Sequence, residues 1–358
     1  VAKVTTAGTP ASPADLTEGY EDVPIIRQAR CRPDSRSGRQ RATMSKYLQI
    51  GLAAAISAVP LAGCGGDSPD RGPVKGGPEV PWQLPRSPDP GVRDALRGLF
   101  DGFSTRFAAE QELVHRCMAA KGFRYVKLTA PATDAHPTMG KDDYGIGVAA
   151  AKRHGYKTQE RIGGPQNDPG AADLKLLSEA DRKRWGEAFY GPDDVKRIRV
   201  TLPDGKQIET SPVGCLSEAR IKIFGSLEQM LKGENFAANL PIEARRRAGA
   251  DPAMKTLNST WSACMSGKGH PALPDPAAAR SQAATRYKSA SADQAFRAEI
   301  KLAVADAECE LKNNYAAQRR RLEDLYYTAG MRRYEADITA IREMNQAALA
   351  RAKKILTS

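Results

Sequence analysis

From residue 92 onward, apolar positions recur mostly at three- and four-residue steps, the spacing of amphipathic helices. Leu96, Leu99, Phe100, Phe103, Phe107, Val114 and Cys117 mark a first helix, which Gly98 and Gly102 are placed to bend. It is expected to end near Lys121, with Gly122 as a left-handed cap. A short strand is predicted over Phe123–Leu128, then mostly loop through residues 129–172, with a short helix near Val148–Arg153. Ser178 is a good N-cap for a helix running to about Tyr190, because acidic residues fill its first turn. Val195–Leu202 and Lys206–Thr210 flank Pro203-Asp204-Gly205 and read as a β-hairpin. Helices are expected near Leu216–Leu231 and Pro241–Ser266. From Asp293 to Leu356 the pattern predicts one almost continuous helix, with an apolar stripe that includes Val304, Leu311, Leu322, Ile338 and Ile355. Gly330 is its one weak point.

The pattern ahead of residue 92 is different. Residues 1–43 are polar, rich in Pro and Arg, and read as a mis-called upstream start or a disordered extension. Residues 44–63 have the order of a secretory signal: Met44, a positive charge at Lys46, an apolar run from Ile50 to Ala62, then small residues. That run suits a signal peptide and is too short for a spanning helix, which needs about 20 residues. It ends in Leu61-Ala62-Gly63-Cys64, which resembles the lipobox of bacterial lipoproteins. The resemblance implies cleavage before Cys64 and lipidation of its thiol, hence anchorage to the cytoplasmic membrane on its outer face. Residues 64–91 follow as a Pro/Gly-rich tether with a reach of roughly 80 Å if fully extended. The folded domain is then expected to be 92–358.

Aromatic residues make up only 6% of the chain, so its core must be aliphatic and Ala-rich, which favours helix. The net charge is +12, and only 8 Lys/Arg and 5 Asp/Glu precede Cys64. The later charges are interspersed rather than gathered, which suits a mixed surface and argues against a nucleic-acid partner.

Six cysteines are present. Cys31 precedes the signal and Cys64 is the lipidation candidate, which leaves Cys117, Cys215, Cys264 and Cys309. An even number in an oxidising compartment implies disulfides. Val114-His115-Arg116-Cys117-Met118-Ala119-Ala120-Lys121-Gly122 matches Trp261-Ser262-Ala263-Cys264-Met265-Ser266-Gly267-Lys268-Gly269 in frame. Each frame reads as a helix C-terminus offering a thiol to the core, with Lys complementing the helix end and Gly closing it. This favours Cys117–Cys215 and Cys264–Cys309, two copies of a stapled helix pair. Three pairings are possible, and sequence alone does not select one. A structural zinc site needs ligands two to four residues apart, and only His115 lies that close to a cysteine.

The order of Cys117-Met118-x-x-Lys121-Gly122-Phe123, Leu177-Ser178-x-Ala180-x-x-x-x-Trp185, Gly214-Cys215-x-x-Glu218-Ala219, Trp261-x-x-Cys264-Met265 and Ala305-Asp306-x-x-Cys309 resembles a group of secreted actinobacterial lipoproteins of uncharacterised function. The resemblance implies export and fold. It supplies no activity and no functional residue.

The sequence contains no nucleophile elbow, zinc-protease helix, phosphate-binding glycine loop or dinucleotide fingerprint, hence no catalytic, cofactor or metal site to name. Gly145-Ile146-Gly147 is too little for a nucleotide. Glu218 and Asp306, beside the second cysteines, read as local caps or pairs. Met118 and Met265 read as core plugs, and Trp82 has no evident structural task in the tether. Arg245-Arg246-Arg247 and Arg319-Arg320-Arg321 read as solvated helix faces rather than phosphate grips. The fold class is mainly α: a disulfide-stapled helical domain with two helix-pair repeats, a small hairpin and a long C-terminal amphipathic helix. The expected function is a non-enzymatic envelope binding or scaffold protein with an envelope-protein or cell-wall partner. A wall-active hydrolase using His136 or His154 against a carboxylate is one alternative, and a ligand sensor is another.

Overall fold

The computed structural model describes residues 81–134, 142–158, 169–203 and 205–358. Cys64, the signal, most of the tether and His136 lie outside them. The described elements are α1 (Val92–Arg97), a 3-10 turn (Gly98–Phe100), α2 (Phe103–Ala120), α3 (Val148–His154), α4 (Pro169–Leu176), α5 (Glu179–Tyr190), β1 (Ile198–Thr201), β2 (Gln207–Thr210), α6 (Cys215–Phe224), α7 (Leu227–Ala250), α8 (Pro252–Gly267), α9 (Pro276–Arg286), α10 (Ala292–Lys312), α11 (Tyr315–Arg333) and α12 (Glu335–Thr357). The fold is mainly α, as expected, with β1 and β2 paired antiparallel from Ile198 opposite Thr210 to Thr201 opposite Gln207. Among the described residues, no helix is long and apolar enough to cross a membrane.

Among the described residues three apolar clusters carry the helices, one of them formed by Val114 and Met118 of α2, Phe189 of α5 and Cys215 and Ala219 of α6. In a second, Ala109 of α2, Ile223 of α6, Met230 and Leu231 of α7 and Ala348 and Ala352 of α12 pack together. The third gathers Trp261 and Met265 of α8, Ala279 and Ala283 of α9, Leu302 and Ala303 of α10, and Tyr315 of α11 around Tyr156. Small alanines at the contacts let the helix backbones approach closely.

Several expected boundaries move, each for a local reason. The first helix is broken rather than bent. Gly102 takes a left-handed φ of 74°, and Asp134 caps α2 by accepting from Gly102 N (2.7 Å) and Ser104 N (2.8 Å). Phe123–Leu128 is not a strand. Side chains replace a sheet partner there: Gln111 Oε1 accepts from Leu128 N (2.9 Å) and Tyr125 Oη (2.8 Å), and Trp185 Nε1 donates to Arg124 O (3.2 Å). The helices expected at 216–231 and 241–266 are instead cut at Gly225-Ser226 and Asp251. Pro241 sits buried inside α7, where core burial outweighs the backbone bond that its ring forfeits.

The expected continuous C-terminal helix is three helices. It breaks at Asn314, which adopts a left-handed φ of 48° that Asn tolerates better than most residues, and again at Tyr334. Leu311, assigned to the apolar stripe, is 76% exposed at the end of α10. Gly330, the expected weak point, stays helical, and its missing Cβ leaves room for the Trp82 ring. A Cβ there would stand 2.8 Å from Trp82 Cζ3 and 3.1 Å from Leu240 Cδ1. Trp82 is therefore a buried anchor, and the fold starts about ten residues before the expected boundary at 92. Its ring lies edge-on to Tyr334 (6.2 Å) and under the Arg247 guanidinium (4.7 Å). Gly330→Ala improves helix propensity by about 1 kcal/mol, yet overpacking against Trp82 is expected to cost about 1–3 kcal/mol. Thermal unfolding followed by tryptophan fluorescence checks this; a raised Tm would refute the assigned role of Trp82.

Candidate functional site

Cys117 bonds Cys215 and Cys264 bonds Cys309, with Cα separations of 5.6 and 5.7 Å. The two matched frames end alike. Phe123 N donates to Met118 O (2.9 Å) and His270 N to Met265 O (3.0 Å), while Gly122 and Gly269 take φ of 79° and 82°. Both are glycine-closed ends of the six-to-one hydrogen-bonded type. The two lysines also act alike: Lys121 Nζ lies 3.6 Å from Glu218 and Lys268 Nζ 2.5 Å from Glu308. Met118 and Met265 are both buried behind the disulfides.

The repeat is one of helix ends, however, and not of whole helix pairs. Cys117–Cys215 and Glu110–Arg220 (2.8 Å) join α2 and α6 in opposite chain order, so these helices are antiparallel. Trp261–Asp306 (2.9 Å) and Cys264–Cys309 join α8 and α10 in the same order, so those run parallel. Cys215 opens its helix, whereas Cys309 sits in the last turn of its own.

Of the chemically richest region the sequence singled out Asp306 alone, as a local cap or pair; its partners prove to be distant in the chain. On α10, Glu299, Asp306 and Glu310 share the buried face with Leu302 and Ala303. Glu299 Oε1 accepts from Tyr156 N (2.6 Å) and Thr158 N (3.1 Å), and its Oε2 from Tyr287 Oη (2.6 Å). Asp306 Oδ1 accepts from Trp261 Nε1 and its Oδ2 from Tyr156 Oη, each at 2.9 Å. Glu310 Oε2 accepts from Gly145 N, which gives the Gly145-Ile146-Gly147 loop a structural task. Spacings of seven and four residues on an apolar face were the available signal.

Next along, Glu323 of α11 is almost fully buried. It accepts from Tyr144 Oη (2.7 Å), Arg93 Nη2 (3.0 Å) and Arg319 Nε (2.9 Å). Arg93 also reaches Asp324 (2.6 Å) and Asp142 (3.1 Å), and Arg319 reaches Asp143 (2.6 Å). Arg319 covers the Tyr144 ring at 4.2 Å. Burial opposes the charge on Arg93, but the Asp324 hydrogen bond and the surrounding acidic groups outweigh it and raise the pKa. Arg319 is thus a bolt for residues 142–144 rather than part of a solvated face, whereas Arg320, 57% exposed and 2.7 Å from Asp142, and Arg321 do lie on one. A separate charged group lies on α2, α6 and α7. There burial lowers the Arg106 pKa against the pull of Glu234, while burial raises that of Glu234.

This arrangement fastens one segment to another. The oxygens of Glu299, Asp306 and Glu323 are all occupied by donors of the chain itself. Glu310 Oε1 is buried and has no hydrogen-bond partner among the described residues. Burial, followed by the charge on Asp306, pushes Glu310 up to about 7. The folded state therefore holds this proton where the unfolded chain has released it, and stability contributed by the protonated group is lost as pH rises from about 4.5 to about 7. Glu310→Gln is expected to gain Tm relative to the wild type across that window. A constant difference from pH 5 to 8 would contradict it.

His115 Nδ1 contacts Tyr125 O at 2.9 Å, and His154 is exposed in the last turn of α3. Among the described residues, no three His, Cys, Asp or Glu side chains converge to hold a metal ion. Compared with known protein families, curated proteins and solved structures, the chain matches none.

Proposed function

We propose that the protein is a lipid-anchored lipoprotein of the cell envelope, acylated at Cys64, whose helical body is a non-enzymatic binding or scaffold module. The carrying observation is the partition of cysteines. Leu61-Ala62-Gly63-Cys64 leaves one thiol for the lipid, and all four cysteines beyond it are paired. Two disulfides suit an oxidising compartment. A scaffold reading is favoured over an enzymatic one by the use of polar groups. The buried carboxylates serve as internal acceptors, and the arginines around them hold loops to helices. The likeness to uncharacterised actinobacterial lipoproteins accords with this reading.

An acyl-chain probe fed to cells producing the wild type or Cys64→Ala tests the anchor. Label and membrane retention are expected in the wild type alone, with a mature mass beginning at Cys64. An unlabelled, uncleaved wild type overturns the proposal.

A further inference from the structure

We infer that Cys117–Cys215 is a redox-exchangeable cross-link, opened by a dithiol reductant that attacks Cys117 Sγ and expels Cys215 as a thiolate, whereas Cys264–Cys309 is a static staple. The inference goes beyond the binding or scaffold reading and does not depend on the lipid anchor. Thiol–disulfide exchange needs a reachable sulfur to attack and a partner sulfur that leaves well. Both bonds offer the first. Cys117 and Cys264 are partly exposed, while Cys215 and Cys309 are fully buried. An incoming thiolate therefore meets Cys117 or Cys264, and the buried cysteine is the leaving group in each case.

The two leaving groups sit at opposite helix ends. Cys215 is the first residue of α6, which follows Gly214 with no side-chain cap. The first N–H groups of that helix therefore lie uncapped at the positive end of its dipole, beside the departing sulfur. Such an end stabilises a thiolate. Cys309 lies in the last turn of α10, where carbonyl groups and the negative dipole end oppose a thiolate. Glu310 follows it and Asp306 precedes it by three residues, both buried, and Lys268 is paired with Glu308. Burial works against both thiolates alike, so the helix ends decide. Glu218 Oε2 stands 3.6 Å from Cys117 Sγ and repels an approaching thiolate, but it is half exposed and Lys121 Nζ stands 3.6 Å from its other oxygen.

The exchange balances as a pair of displacements. A thiolate of the dithiol bonds to Cys117 Sγ, the Cys117–Cys215 bond breaks, and its electron pair leaves on Cys215. The second sulfur of the dithiol, as thiolate, then bonds to the first, and Cys117 leaves in turn. The dithiol ends as a disulfide, and the protein has gained its electron pair and the protons of its new thiols. α2 and α6 keep contacts that do not need the sulfur bridge, Glu110–Arg220 at 2.8 Å and the packing of Val114 and Met118 with Ala219. The thiols therefore stay apposed, and exchange with an oxidising disulfide closes the bond again.

The test uses the oxidised full chain, with any free thiol first blocked by iodoacetamide. The protein is exposed to limiting dithiothreitol without denaturant. New thiols are trapped with isotope-labelled iodoacetamide and located by peptide mass mapping. Cys117 and Cys215 are expected to be labelled about tenfold faster than Cys264 and Cys309. A second measurement fixes the direction of attack. Glutathione, a monothiol, is expected to leave its adduct on Cys117 and a free thiol on Cys215. Equal labelling of the two pairs, earlier labelling of Cys264 and Cys309, or an adduct found mainly on Cys215 overturns the inference. None of these outcomes bears on acylation of Cys64, which the acyl-chain probe reads separately.

Discussion

Glu323→Ala is expected to destabilise the protein by about 2–3 kcal/mol, because it removes the buried acceptor shared by two guanidinium groups and a phenol. Glu323 is the shared acceptor of Arg93, Arg319 and Tyr144, which come from α1, α11 and the loop ahead of α3. Its removal leaves each donor with one acceptor fewer, and Arg93 and Arg319 held only by Asp142, Asp324 and Asp143. The loss should be local as well as global. Amides of residues 142–147 should exchange faster, since Tyr144 and Gly145 are held through this seam. Urea unfolding with hydrogen exchange measures both. A loss under 1 kcal/mol would show that water or the neighbouring Asp142, Asp143 and Asp324 replace Glu323, and would remove it as the keystone.

The second large effect belongs to the disulfides. Replacing Cys117 and Cys215 by Ala removes a cross-link between residues 98 apart, and replacing Cys264 and Cys309 removes one between residues 45 apart. Chain entropy alone credits these with about 5 and about 4 kcal/mol, as upper values. The Cys117–Cys215 variant is therefore expected to lose more. Cys264–Cys309 sits beside Trp261 and Met265, so a contest between packing and chain entropy is built into the comparison. Calorimetry on the two double variants decides it. If the Cys264–Cys309 variant unfolds at the lower temperature, local packing outweighs loop length.

The helix ends were legible in the sequence because they use strong local chemistry. Lys121-Gly122 and Lys268-Gly269 close helices in the expected way, and Ser178 accepts from Asp181 N at 3.1 Å as an N-cap. The hairpin was legible from its turn residues. The paired cysteines followed from their even count and the expected compartment, although the repeated frame suggested a symmetry that the helix directions do not have. The break at Asn314 was hidden, since neither Pro nor Gly marks it and the apolar stripe continues through it. Trp82 was hidden by its company of prolines, because an anchor has no periodicity to display. The carboxylate seam was hidden for a different reason. Glu299, Asp306 and Glu310 fall on an apolar face, where hydropathy alone registers three errors. Only their partners Tyr156, Trp261 and Gly145, distant in sequence, make them sensible.

The two cross-links have a consequence for survival among proteases. A single cut anywhere between Cys117 and Cys215, or between Cys264 and Cys309, leaves the fragments joined by sulfur. The first interval contains the hairpin and the connections on either side of α3. A nicked molecule would migrate intact on a non-reducing gel and fall into pieces only after reduction. A chain built this way can be cut within either interval and still hold together as one molecule.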